Sequence, residues 1–264
     1  MEEHVFEGAF SNIFRARRVK DGHEVALKVL TRAGEKIASM LHEHDAALWE
    51  GKLLKSLQHP NIVEYVDSGT KNPYWIAMEF IPCSLKPFVG QCHNKQQENR
   101  IIEIFSQIVL AVEHLHSKGL VHRDICLGNL LMDSRGTVKL IDFGMAVPAG
   151  CRLMKGRVGT PSYMAPEMIR KSEYTPAADI YSIGIVMYEL ITGRKPFKGA
   201  MKEQRMTRSL NVDPAPPTNF DCHCSPELER LVMKCISKDL NERPGEARKV
   251  EQSLFLIRHN RGLV

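Results

Sequence analysis

The feature that most restricts the fold of this chain is a change of hydrophobic pattern along its length. Short runs in the first part, such as HEVALKVL (residues 23–30) and YWIAMEF (74–80), predict β-strands. From Ile101 onward the apolar positions follow a helical period, and the run DIYSIGIVMYEL (179–190) predicts a helix buried on most sides. The sequence therefore predicts an α+β fold, with a small sheet first and a mainly helical part after it.

Composition and charge narrow the class of protein. With 264 residues, of which 43% are hydrophobic, the chain can bury the core of one large domain or of two lobes. No apolar run approaches the roughly 18 residues that span a bilayer, and the first ten residues lack the pattern of a signal peptide. The net charge of +5 is too diffuse to favour nucleic acid as a partner. Seven cysteines without a repeating framework favour reduced thiols, and hence a cytoplasmic or nuclear location.

Two charged residues are predicted to meet between the sheet and the first helix. In HEVALKVL, Lys28 points away from the side that carries the alternating apolar residues. The helical period of residues 46–57 places Glu50 on a leucine stripe, where an unpaired carboxylate would be costly. Lys28 is the natural partner from the sheet. Two alternatives stay open, a solvated strand lysine and a glutamate that emerges at the edge of the stripe.

A polar loop with the sequence HRDICLGN (residues 122–129), here called the catalytic loop, carries the strongest resemblance to a known family. Around it stand, in chain order, VALK, HPNIV, DFG at 142–144, GTPSYMAPE at 159–167, DIYSIG and Arg243-Pro244. With these motifs the chain resembles eukaryotic protein kinases of the Ser/Thr type over nearly its whole length. The resemblance implies a bilobal kinase fold over residues 1–264. A small antiparallel sheet with helix C and the hinge would occupy 1–82, a larger helical lobe 83–264, and no separate regulatory domain would fit.

The resemblance also implies roles in phosphoryl transfer from ATP to a protein substrate. Lys28 would hold the α- and β-phosphates and be oriented by Glu50. Asn129 and Asp142 would ligate Mg²⁺ through oxygen. Asp124 would accept the proton of the substrate hydroxyl, and Thr160 of GTPSYMAPE would approach it.

The same resemblance implies a binding site for the adenine ring. Small and branched side chains would enclose it, with Ile13 and Ala26 above and Leu131 below. In the hinge, the backbone of Glu79 and Ile81 would hydrogen-bond the ring. Met78 would be the gatekeeper, and Gly8 would lie in the loop over the phosphates.

That loop departs from the family pattern G-x-G-x-x-G-x-V. Residues 6–13 read FEGAFSNI, which puts Phe6, Gly8 and Ser11 at the glycine positions. Glycine allows backbone N–H groups to approach phosphate closely, so Phe6 and Ser11 predict a stiffer and less intimate lid. The alternative is that residues 5–14 are only a scaffold hairpin.

The catalytic loop also departs from the pattern at Cys126, where Ser/Thr kinases carry lysine. Loss of a charge that contacts the transferring group lowers rates by about 10²- to 10³-fold if nothing replaces it. The thiol is expected to have a raised pKa and to stay neutral, and Lys155 or Arg157 are candidates for the missing charge. The rival hypothesis is a pseudokinase that serves as an interaction scaffold.

The segment between Gly144 and Gly159 bears on regulation. It contains no Ser, Thr or Tyr, so the ordinary phosphorylation switch is absent and activity is predicted not to require it. Regulation is expected instead from abundance or from a protein that acts on helix C, which follows a long connection at residues 31–45. GTPSYMAPE resembles the Ser/Thr class rather than the Tyr class.

Other polar groups have structural interpretations. In the family pattern Glu167 and Arg243 form a buried ion pair, and Asp179 holds the backbone of the catalytic loop. Metal ligation is one interpretation of residues Cys222 to Cys224 and of the pairs His42/His44 and His114/His116, but none of them has a second half at the spacing of a zinc site.

Overall fold

A computed structural model describes residues 3–8, 10–41, 46–69, 73–151, 159–170 and 174–263. The first part is a five-stranded sheet in the order β1-β2-β3-β5-β4, with antiparallel neighbours throughout. Its strands are β1 (Glu3–Glu7), β2 (Ser11–Arg17), β3 (Glu24–Leu30), β4 (Tyr65–Gly69) and β5 (Trp75–Glu79). The predicted strands at 23–30 and 74–80 are confirmed.

Two helices, α1 (Arg32–Leu41) and α2 (Ala46–Ser56), lie between β3 and β4. The helix predicted at residues 46–57 is α2, the helix C of the family pattern. The connection expected at residues 31–45 is itself largely helical, since it contains α1. The N-terminus of α1 contacts the β1–β2 loop, where Thr31 N–H donates to Phe10 O at 3.0 Å. Gly34 permits this approach, because a Cβ there would lie 1.9 Å from Phe10 O.

The remainder of the chain is mainly helical. It contains α3 (Lys95–Ser117), α4 (Pro166–Ile169), α5 (Pro176–Thr192), α6 (Lys202–Asn211), α7 (Pro226–Cys235) and α8 (Ala247–Asn260). The Asn94 side chain caps α3 by accepting from Gln97 N at 3.0 Å. As the sequence predicts, α5 is buried along almost its whole length, and α3 and α5 form the centre of the core. The α+β architecture is thereby confirmed.

Short strands frame the loops of the helical part. They are β6 (Cys83–Ser84), β7 (Leu120–Val121), β8 (Leu130–Met132), β9 (Val138–Leu140) and β10 (Val147–Pro148). β6, β8 and β9 form one sheet and β7 pairs with β10, so the catalytic loop runs from β7 to β8. No helix within the described ranges is long and apolar enough to cross a membrane.

Candidate active site

A buried ion cluster joins β3, α2 and the start of the DFG motif. Lys28 Nζ donates to both carboxylate oxygens of Glu50 at 2.8 Å and to Asp142 Oδ1 at 2.7 Å. Lys28 and Glu50 are only 6% and 5% exposed, so the pair predicted from the leucine stripe is present, and the alternative that Lys28 is a solvated strand lysine is wrong. Burial disfavours the charged lysine, but the two carboxylates outweigh it and raise the pKa of Lys28.

Asp179 of α5 anchors the backbone of the catalytic loop through hydrogen bonds. Its carboxylate accepts His122 N–H at 2.8 Å, Arg123 N–H at 2.9 Å and His116 Nε2 at 2.9 Å. Burial opposes ionisation of Asp179, yet His116 and the backbone donors outweigh it and lower its pKa. These bonds hold Arg123 at φ 68°, a left-handed conformation that a non-glycine residue seldom adopts without support. The predicted brace is confirmed.

Asp124 already accepts a hydroxyl in this structure. Thr160 Oγ1 and Thr160 N both donate to Asp124 Oδ1 at 2.7 Å. Burial raises the pKa of Asp124, while the Thr160 hydrogen bond acts in the opposite direction. The predicted approach of Thr160 is therefore present, and it shows that Asp124 Oδ1 can receive the hydrogen bond of an alcohol.

The donor set beside Asp124 fits a hard cation. Asn129 uses Nδ2 for its bonds to Asp124 O at 2.8 Å and Asp124 Oδ2 at 3.1 Å, which leaves its amide oxygen as the atom for a metal. Asp142 sits at φ 64°, and its side chain is 39% exposed towards the cleft. Burial raises its pKa, but the nearby Lys28 outweighs this effect and lowers it, so Asp142 offers an ionised carboxylate. Oxygen ligands of this kind suit Mg²⁺.

Cys126 lies directly beside this group. Its side chain is 7% exposed, and Thr160 Oγ1 lies 3.7 Å from its Sγ. Burial, with Asp124 as the next cause, raises the pKa of Cys126 to about 11, which confirms the expectation of a neutral thiol. Lys155 and Arg157 lie outside the described residues.

The sheet forms the roof of the cleft, defined here as the face of β1, β2 and β3 that carries Lys28. Directly paired residues in antiparallel strands point to the same face. Ile13 pairs with Lys28 and Ala26 with Met78, so the residues predicted around adenine share the lysine's face. Phe6 pairs with Ile13 and therefore also belongs to the roof, where it is 61% exposed.

Gly8 lies in a tight turn at the tip of the roof. Gly8 N–H donates to Ser11 O at 3.0 Å, so this amide is engaged within the hairpin. A Cβ on Gly8 would lie 2.9 Å from Phe6 Cε1 and 3.0 Å from Ser11 O. Phe6 and Ser11 therefore occupy the space next to Gly8. This agrees with the prediction that the loop approaches phosphate less closely than a glycine-rich loop would.

The hinge residues lie at the end of β5 and just after it, with Met78 and Glu79 as the last residues of the strand and Ile81 two residues beyond it. Met78 and Ile81 are buried, and Glu79 Oε1 accepts Lys139 Nζ at 2.6 Å and Glu64 N–H at 2.8 Å. Leu131 of β8 pairs with Ser84 just after the hinge and with Lys139 of β9. The role of each of these residues in adenine binding stays a prediction.

Two contacts beside the candidate site are not predicted by the sequence. Trp49 Nε1 of α2 donates to Ala146 O at 2.9 Å, and the ring of Tyr174 lies 4.8 Å from Arg123 Cζ. Trp49 precedes Glu50 and Tyr174 precedes α5, but nothing in their local sequence marks a partner so far along the chain. The one signal that could have indicated them is their position next to Glu50 and to α5.

The remaining polar groups have structural roles. Arg243 Nη1 donates to Glu167 Oε1 at 2.6 Å, so the predicted buried pair is confirmed. His116 is bound to Asp179, and the described part of the chain contains no cluster of three or more groups suited to a metal ion. His42 and His44 lie outside the described residues.

The chain is similar to known proteins over most of its length. Residues 1–256 match the family described as "Protein kinase domain". A probable serine/threonine-protein kinase of Dictyostelium discoideum is 34% identical over 92% of this chain and 18% of its own length. Serine/threonine-protein kinase pakH of the same organism is 34% identical over 92% of this chain and 47% of its own length. Serine/threonine/tyrosine-protein kinase HT1 of Arabidopsis thaliana is 33% identical over 90% of this chain and 61% of its own length. The chain thus spans less than two thirds of each of these relatives.

Proposed function

Because the chain belongs to the protein kinase family, we propose that it transfers the γ-phosphoryl group of ATP to Ser or Thr hydroxyls of protein substrates, with Mg²⁺ as the metal. One observation carries the proposal. The ion cluster of Lys28, Glu50 and Asp142 stands in the same cleft as Asp124, whose Oδ1 accepts a threonine hydroxyl at 2.7 Å.

Each charged or polar residue of the cleft would have a separate role in the reaction. Lys28, held by Glu50, would orient the phosphates of ATP, and Asp124 would accept the hydroxyl proton of the substrate. Asn129 and Asp142 would hold the metal, which when bound supplies neutralisation of phosphate charge. Each of these groups is fixed by hydrogen bonds before substrate arrives, and such preorganisation is the main source of catalysis in phosphoryl transfer.

Preference for Ser or Thr is supported by the segment GTPSYMAPE. Thr160 of this segment contacts Asp124 through both its amide and its hydroxyl. Relatives named as serine/threonine kinases agree with the proposal, and one relative is named as a serine/threonine/tyrosine kinase. A peptide set with Ser, Thr or Tyr as the only acceptor would decide, with phosphate on Ser or Thr as the expected result.

We also propose that activity does not depend on phosphorylation between residues 145 and 158. That window contains no Ser, Thr or Tyr. A protein that binds α2 is the regulator we favour, because α2 carries both Glu50 and Trp49. Phosphatase-treated enzyme should keep its activity, and a loss that maps to this window would refute the proposal.

The decisive test is transfer of radiolabelled phosphate from Mg-ATP to a generic protein substrate. Asp142→Asn should reduce transfer to background, because it removes a charged metal ligand. Asp213→Asn is the matched control, since that side chain is 96% exposed, and it should behave as wild type.

A second candidate function is a pseudokinase scaffold, and the observations that favour it are Phe6 in the roof and the neutral Cys126. It predicts that folded wild type and Asp142→Asn both stay at background. That result would overturn the enzyme proposal.

A further inference from the structure

The side chain of Arg123 in the catalytic loop has unusual surroundings. It is 2% exposed, and its Nε donates to Met145 O at 2.6 Å. Among the described residues, neither Nη1 nor Nη2 has a hydrogen-bond acceptor, and no carboxylate oxygen lies within ion-pair distance. A buried guanidinium without an anion is costly unless another group stabilises its charge.

Tyr174 supplies that group. Its ring is 5% exposed, and its centroid lies 4.8 Å from Arg123 Cζ, within the range of a cation–π contact. Burial lowers the pKa of Arg123, and the Tyr174 hydroxyl lies near enough to the guanidinium to oppose this effect, so the ring and the hydroxyl are separated by comparing Tyr174→Phe with Tyr174→Leu. A second buried arginine in the same lobe provides a comparison. Arg243 lies 5.0 Å from the ring of Tyr181, but it also binds the Glu167 carboxylate at 2.6 Å. At Arg123 the aromatic ring stands where an anion would be expected.

The backbone of Tyr174 contacts the segment that follows DFG. Gly150 N–H donates to Tyr174 O at 3.0 Å, and the neighbouring Ala149 N–H donates to Gly119 O at 2.8 Å. Between these contacts and DFG lies β10, which pairs with β7 just before the catalytic loop. Through its ring and its carbonyl, Tyr174 therefore connects the catalytic loop with residues 145–150.

We propose that Tyr174 is a positioning residue that takes the place of an activation-segment phosphate. Its ring compensates the charge of Arg123, and its carbonyl fixes Gly150, so residues 145–150 are held in place without modification. The inference rests on the proposed kinase function and deepens it. It supplies a physical reason why a segment without Ser, Thr or Tyr between residues 145 and 158 can be competent.

The test compares variants of Tyr174 in the full chain. Tyr174→Leu removes the ring, and a lost cation–π contact of this kind corresponds to a fall in kcat of about 10-fold. Tyr174→Phe keeps the ring and should recover most of the activity that the leucine variant loses. Tyr188→Leu is the matched control, since it removes an equally buried ring from α5 that does not contact Arg123. It should lower the melting temperature but leave kcat unchanged where the protein is folded.

Hydrogen exchange of the amides at residues 145–150 gives a second readout that needs no activity. Tyr174→Leu should speed their exchange by about 10-fold relative to Tyr188→Leu. In an Arg123→Gln background, the further effect of Tyr174→Leu should be small, because the two groups act as one unit.

The inference is overturned if Tyr174→Leu keeps wild-type kcat and exchange. It is equally overturned if Tyr174→Phe is as impaired as Tyr174→Leu, or if the effect of Tyr174→Leu persists in full in the Arg123→Gln background. A wild-type protein without any phosphate transfer would defeat the proposed function instead. The exchange experiment would then still decide the role of Tyr174.

Discussion

The catalytic loop and the roof differ in how far their structures depend on buried polar contacts. In the loop, His122 and Arg123 are 0% and 2% exposed, and Asp179 anchors both of their backbone amides. In the roof, Phe6 is 61% exposed, and Phe10 in the loop at its tip is 43% exposed. Substitution in an exposed hairpin leaves few groups unpaired, whereas substitution in the loop exposes buried charges to an apolar environment. We therefore expect the roof to tolerate substitution at Phe6 better than the catalytic loop tolerates substitution at His122 or Arg123.

The largest expected effect is on stability and comes from Asp179→Asn, because this change alters the carboxylate that binds the backbone of the catalytic loop. An asparagine has one acceptor oxygen for three donors and places an NH₂ group against one of them. We expect a loss of about 2–4 kcal/mol of unfolding free energy, measured by urea denaturation. The exposed control Asp213→Asn should unfold like wild type, and a similar loss in both variants would contradict the comparison.

The next largest effect is expected at Cys126, where the loop departs from its family. Cys126→Lys would place an ammonium beside Asp124 and the transferring phosphoryl group, and we expect kcat to rise by about 10-fold. Cys126→Met introduces a long side chain without charge and serves as the control. Equal rates in the lysine and methionine variants would show that charge at this position is not what limits the reaction.

A smaller effect is expected in the roof. Phe6→Gly removes a ring from the face that carries Lys28 and frees the backbone to approach phosphate, so KM for ATP should fall by about 3- to 10-fold. Phe6→Leu keeps a Cβ and should change KM far less. An unchanged KM in Phe6→Gly would support the alternative of a scaffold hairpin.

The smallest effect concerns pH. Burial raises the pKa of Asp124, and so does the nearby charge of Asp142, whereas the Thr160 hydrogen bonds and His122 lower it. Thr160→Val removes the lowering hydroxyl, so the pKa of Asp124 should rise. Because Asp124 must be ionised to accept a proton, the acid limb of kcat/KM should move to higher pH. Thr160→Ser should leave the limb in place, and a shift of the valine variant to lower pH would contradict the assignment.

The sequence predicts a contact well where one buried charged residue would be costly without a partner of opposite charge. Glu50 on a leucine stripe requires a cation, and Lys28 is there. Contacts between two residues that are each acceptable alone, such as Trp49 with Ala146 or Arg123 with Tyr174, depend on how distant segments pack, which local patterns do not encode.

The segments on either side of α2 differ in how well the sequence predicts them. The run HPNIVEYV (residues 59–66) predicts a turn followed by a strand, and β4 begins at Tyr65. Hydrogen bonds from Asn61 N and Ile62 N to His59 hold the preceding residues in a turn. The helix α1 was missed in a segment interpreted as a connection, although Thr31 and Gly34 place its start against the tip of the roof.

The measurement that tests the account most directly is an ATP titration of phosphate transfer by wild type, Asp124→Asn and Phe6→Gly. We expect Asp124→Asn to lower kcat by about 10²- to 10⁴-fold with little change in KM for ATP, because it removes the proposed base. Phe6→Gly should change KM and leave kcat nearly constant. If wild type and Asp124→Asn transfer phosphate equally, or if Phe6→Gly changes kcat as strongly as Asp124→Asn does, then the division between a catalytic loop that performs the chemistry and a roof that sets ATP affinity is wrong.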